Sequence, residues 1–256
     1  MFHPHSLLWH YLWVAPHLIM AVLAAILWSR GLEKELRRFF VYACFQVTQW
    51  AILYPMDLIP SVSAVNWWRV CWASLLVESI IVFVLISDIF AEVFGSYAAL
   101  ARLGKILIRG GGVVLLIGAT AVAALTREEN QLWLIPASHM VHEAMHAVVS
   151  GLILLLFASA AYFRLVWQRW TFGIALGLGV NACIHLATWA LMANAVLPDP
   201  QRVVFDFLNM AAFHAAVLIW LYYLLVPHRV AAKSVVALPE NNLAAWNREL
   251  ERLLQQ

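Results

Sequence analysis

Seven long stretches of this chain are almost wholly apolar, and short polar or glycine- and proline-marked stretches separate them. They run Leu7–Trp28, Phe39–Leu58, Trp67–Ile89, Ile106–Leu125, Met140–Phe163, Trp170–Leu197 and Val203–Val226. A helix needs about 20 mostly apolar residues to cross the hydrocarbon of a bilayer, and each stretch is of that order. The pattern predicts an all-α integral membrane protein, a seven-transmembrane-helix bundle over residues 1–228 with a tail over 229–256. No connection is long enough to hold a second domain, and no internal repeat stands out. In the tail, Pro239 and Asn241-Asn242 precede Leu243, Trp246, Leu250 and Leu253. Those four form one apolar stripe at helical spacing, which predicts an amphipathic helix over about 240–254. A helix this short is marginal alone in water. It is expected to lie on the bilayer, on its own bundle or on a cytoplasmic or membrane protein partner.

Composition strengthens the membrane assignment. Hydrophobic residues make up 64% of the chain and charged residues 12%, against about 45–50% and about 25% in soluble domains. A chain of 256 residues cannot hide that surplus from water in a core of its own, so lipid must cover it. A net charge of +2 without a basic stripe excludes nucleic acid as a partner. Cys44, Cys71 and Cys183 fall in different apolar stretches and read as small core residues. The first residues, MFHPHSLLWH, lack the basic region of a signal peptide, so the first stretch is expected to be retained as a span.

Basic residues set the expected orientation. Thirteen of the sixteen, among them Arg37, Arg38, Lys105, Arg164, Arg169 and Arg229, fall on one side of the predicted spans, and only Arg69, Arg127 and Arg202 on the other. The positive-inside rule then places the N-terminus outside and the C-terminus in the cytoplasm, as expected of a multi-pass protein of a bacterial inner membrane. Asp57 and Arg69 are expected to pair at the outer rim. Asp88 and Glu92, nearer the cytoplasm, are expected to pair with Arg102, Arg164 or Arg169.

The chemistry lies in polar residues inside the spans, where ionisable groups are costly and mark function by default. Counted inward at 1.5 Å per residue, His17, Glu78, His185 and His214 all fall about 15 Å deep, with Gln49 at about 13 Å and His146 at about 9 Å. They come from six different spans, and Asp206 follows nearer the outer mouth. The fourth span offers nothing polar but threonine and is expected to pack outside the group. A histidine-rich layer in the outer half of the bundle is the principal candidate site, for ligand or metal binding or sensing. Glu78 has no lysine or arginine at its depth, so histidine is its expected partner. Without a ligand, the same layer would be hydrogen-bonded helix packing.

His142-Glu143-Ala144-Met145-His146 reads H-E-x-x-H. On a helix that spacing offers two zinc ligands, His142 and His146, with Glu143 as general base. His185, His214 or Asp206 would supply the third ligand, giving a zinc-dependent intramembrane hydrolase as the alternative function. The aspartate-glycine motif that accompanies H-E-x-x-H in intramembrane metalloproteases is missing, since Asp206 sits in Phe205-Asp206-Phe207. Seven-span ceramidases and adiponectin-receptor-like hydrolases carry H-x-x-x-H on a late helix, and here His214 stands alone. A b-type haem held by two facing histidines among His17, His185 and His214 is a further alternative. Retinal is excluded as a cofactor, because Lys34, Lys105 and Lys233 lie outside every span and a Schiff base needs a lysine within one.

Overall fold

The computed structural model describes residues 5–95, 102, 104–113, 117, 134–165, 167–194, 199–226, 248 and 251–252; in the helices after residue 133, side chains are described for 144–162, 169–192 and 203–225. Helix is the regular structure of these residues. In order they are α1 (Leu7–Ser29), α2 (Arg37–Leu58), α3 (Ala64–Phe94), α4 (104–113), α5 (Leu134–Tyr162), α6 (Arg169–Asn194) and α7 (Asp199–Leu225). Local chemistry fixes their ends. Ser6 and Ser63 accept from Trp9 N and Asn66 N, each at 3.3 Å, and so cap α1 and α3. Gly31, at φ 68°, takes the left-handed conformation that turns the chain out of α1.

Six helices close into a ring. α1 packs on α2, α2 on α3, α3 on α5, α5 on α6, α6 on α7, and α7 returns to α1. α4 leans on the seam between α3 and α5, where Gly104 meets Phe90 and Gly111 meets Phe83 and Val148. Gly110, Gly111 and Gly112 lie inside this helix. The lack of a side chain at Gly111 lets α4 come close, since a Cβ there would stand 2.9 Å from Val148 Cγ1.

The tightest seam is α6 with α7. Trp220 is fully buried, donates Nε1–H to Ile174 O at 3.2 Å, and lies against Gly177, while Tyr223 lies against Gly173. The small residues at 173 and 177 make that approach possible.

Leucine, valine and isoleucine cover the outside of the ring, with Leu18, Val22, Ile80, Leu154 and Leu191 each more than half exposed. Water would not tolerate such a surface, whereas lipid would. Five helices, α1, α3, α5, α6 and α7, are long and apolar enough to cross a membrane, which is consistent with a multi-pass membrane protein. α2 is as long as α1 but more polar, because Gln46, Thr48, Gln49 and Asp57 interrupt its apolar run. Its position between α1 and α3 accounts for that, since Gln46 and Gln49 turn inward to partners on α3.

Several expectations shift. α3 starts before Trp67 and ends after Ile89, and α5 starts at Leu134 rather than Met140. Asp57 lies 3.7 Å from His5 Nδ1 and not beside Arg69, whose guanidinium reaches Asn66. Asp88 pairs with Arg38 of α2, and Glu92 accepts from Thr171 Oγ1 at 2.6 Å, so neither takes an arginine from the later loops. The tail helix expected at 240–254 lies outside the described residues, apart from the helical positions 248 and 251–252.

Candidate functional site

The centre of the ring is filled by apolar side chains in the half that holds the C-terminal end of α1 and the start of α2, and opens into a cavity of about 280 Å³ in the other half. All six ring helices line it. α1 gives Leu12, Trp13 and His17, α2 gives Gln46, Gln49 and Trp50, α3 gives Glu78, α5 gives His146, α6 gives Asn181 and His185, and α7 gives Asn209 and Phe213.

Glu78 is the acid of this cavity, and among the described residues no lysine or arginine lines it. Its carboxyl accepts from Gln46 Nε2 at 2.7 Å. Gln46 shares a face of α2 with the buried Tyr42 one turn away, and Gln49 donates to Ser74 Oγ at 2.9 Å. Amide and hydroxyl partners satisfy lone pairs but carry no charge. The partner of Glu78 is thus a glutamine on α2, Gln46, and not the histidine that depth alone suggested.

The histidines are held in defined poses. His17 Nδ1 lies 2.6 Å from Trp13 O, which can only accept, so Nδ1 bears the proton. Its ring stacks on Trp50, with centroids 5.7 Å apart. Pro16, just before it, has no N–H to give to the Leu12 carbonyl, so this turn of α1 presents an underused acceptor beside the cavity wall. His146 and His185 stack face to face, with centroids 4.3 Å apart and planes 4° from parallel. Thr188 Oγ1 bridges His185 O and Asn209 Oδ1, each at 2.8 Å, and ties α6 to α7 below the site.

The structure thus brings together His17, Gln49, Glu78, His146 and His185, and leaves two candidates aside. His214 follows Phe213, and one residue along a helix is a turn of about 100°. That rotation takes His214 out of the lining to the α1–α7 seam, with its ring 5.6 Å from that of Tyr11. Asp206 is exposed and lies outside the lining. His146 sits level with His185 instead of nearer the mouth, because α5 starts six residues before the expected boundary and each residue adds about 1.5 Å of depth. The side chains of His142 and Glu143 lie outside the described residues. Among the described residues, no three His, Cys, Asp or Glu side chains group as a metal would require. Nor does the His146–His185 pair fit a haem, since axial ligands face each other end-on across the macrocycle and these rings are stacked in contact.

Sequence reasoning passed over Gln46, Asn181, Asn209, Trp13 and Trp50. The signal for two of them was present. Gln46 lies three residues before Gln49, and Asn181 four before His185, so each shares a helix face with a residue already singled out.

In comparisons with family models, curated proteins and solved structures, nothing matches this chain. The site therefore has to be interpreted from its own chemistry, and the class that the fold supports is a helical protein of membrane type.

Proposed function

We propose that this chain is a seven-span protein of a bacterial inner membrane, with its N-terminus outside, and that its outer cavity binds a small organic ammonium ion. One observation carries the reading: Glu78 stands in a polar, aromatic-walled cavity with a glutamine partner and, among the described residues, no lysine or arginine. A carboxylate taken from water is stabilised by a positive partner. We infer that a ligand brings that charge. Trp13, Trp50 and Phe213 give the wall an aromatic character that favours a cation, and the volume suits a ligand at the small end of the pocket range.

The test is binding of radiolabelled choline and ethanolamine to purified protein, with acetate and glucose as anionic and neutral controls. Glu78→Gln keeps the shape of the side chain and removes its charge, and it is expected to weaken choline binding by more than about tenfold, since each tenfold corresponds to about 1.4 kcal/mol. Equal binding of all four probes, or full affinity in Glu78→Gln, would sink the reading.

A second reading keeps the zinc-dependent hydrolase of His142, Glu143 and His146, supported by the contact of His146 with His185. Elemental analysis of the same preparation separates the two, because the hydrolase needs about one zinc per chain and the ammonium site needs none.

A further inference from the structure

The outer cavity has a counterpart. A second cavity of about 290 Å³ lies at the other end of the ring, lined by Lys34, Arg38, Asp88, Glu92, Thr171 and Ile174 among others. The two share three walls. On α2 the linings stop at Gln46 and Phe39, on α3 at Glu78 and Leu85, and on α6 at Asn181 and Ile174. The step is seven residues on each helix, about 10 Å along the axis. Two polar-lined chambers are therefore separated by a barrier of about two helical turns.

The barrier is apolar, and every ring helix contributes to it. Met20, Tyr42, Val82, Val149, Leu178 and Trp220 come from α1, α2, α3, α5, α6 and α7, and all are buried. At its centre Trp220 meets Tyr42 edge-on at 5.8 Å and Phe39 at 5.4 Å. Tyr42 lies one helical turn from Gln46 on the same face of α2, and Gln46 is the residue that holds Glu78. The carboxylate that would receive the ligand is thus connected, through Gln46 and its α2 neighbour Tyr42, to the indole of Trp220 in the middle of the bundle. A charge arriving at Glu78 competes for the carboxyl that Gln46 now bonds, and any rearrangement of Gln46 is felt at Tyr42 and Trp220.

From these paired chambers we propose that the protein transports its ligand, with Tyr42 and Trp220 as the gate between an outer and an inner vestibule. The inference rests on the binding reading above. The solute is the same small organic ammonium ion. It enters beside Glu78, passes the aromatic faces of the gate, and leaves past Asp88 and Glu92. No covalent step is involved.

The experiment uses the full chain in proteoliposomes. Choline is the probe, because a quaternary ammonium ion does not cross lipid unaided. Binding and uptake are measured on the same preparation. The expected result is saturable uptake that Glu78→Gln lowers together with binding. Trp220→Phe keeps a ring in the barrier but loses the bond to Ile174 O. It is expected to change uptake at least threefold while choline affinity stays within twofold, since Trp220 does not line the outer cavity. Binding without uptake above empty liposomes overturns transport and leaves the binding reading standing. Absence of binding overturns both. Uptake and affinity that are both unaltered in Trp220→Phe overturn the gate.

Discussion

Gly177→Leu is expected to destabilise the bundle by about 3 kcal/mol or more, the upper end for overpacking a filled interior, and Gly177→Ala by a smaller amount. A Cβ at this position would stand 2.7 Å from Trp220 Cε2 and 2.8 Å from Cδ1. Ordinary contacts between such atoms are about 3.5–4.0 Å, so something must move. The indole has little freedom to do so, because its Nε1–H is bound to Ile174 O and its edges meet Phe39, Tyr42 and Phe213. Gly173 is similarly constrained, since a Cβ there would meet Tyr223 Cγ at 2.5 Å, close to that residue's backbone. Gly151 provides the internal control. Nothing lies within 4 Å of a Cβ placed on it, so Gly151→Ala is expected to be neutral or to gain about 0.5–1 kcal/mol from helix propensity. Thermal unfolding in one detergent, followed by circular dichroism, measures all three. A Gly177→Leu protein that melts with Gly151→Ala would show that α6 and α7 do not meet as described.

The second large effect concerns Gln46 and Glu78. Gln46→Leu strands a carboxyl that now accepts at 2.7 Å and is expected to cost about 3 kcal/mol, since orphaning a buried charged group exceeds the usual 1–3 kcal/mol of a neutral one. Glu78→Leu leaves the Gln46 amide without its acceptor and costs about 1–3 kcal/mol. The double leucine variant removes both ends of the bond. It is expected to be near the parent in stability or above it, as happens when buried polar pairs are replaced by packed apolar ones, so the double-mutant cycle should return a coupling above about 1 kcal/mol. Binding separates helix packing from a ligand site. The double variant is expected to fold and to lose choline binding. If it folds and still binds choline with parental affinity, Glu78 serves packing alone.

How much of this could be read from the letters differs by element. Apolar runs and their interruptions located the helices, because lipid and close packing both demand continuous apolar helix surface. Their ends were less legible. α5 begins six residues before its expected start, at Leu134, since residues 134–139, LIPASH, mix proline and polar side chains that read as loop. Depth counting grouped His17, Gln49, Glu78 and His185, which do line one cavity. Depth says nothing about rotation around a helix axis, however, and rotation is what removed His214. Pairing was the least visible. Arg38 with Asp88, and Gln46 with Glu78, join residues 50 and 32 positions apart, and nothing local to either sequence stretch specifies its partner.

What the sequence determined alone is a surface too apolar for water and a set of polar residues that interrupt its apolar stretches. Those follow from composition and period, which each segment carries within itself. The tertiary structure decided which of those residues share a space. Closure of six helices into a ring turned Gln46, Glu78, His146 and His185 toward one another, put α4 outside, and left two chambers with Trp220 between them. That outcome depends on the order in which helices meet and on how each is rotated, and both are set by packing between distant segments such as Gly177 and Trp220.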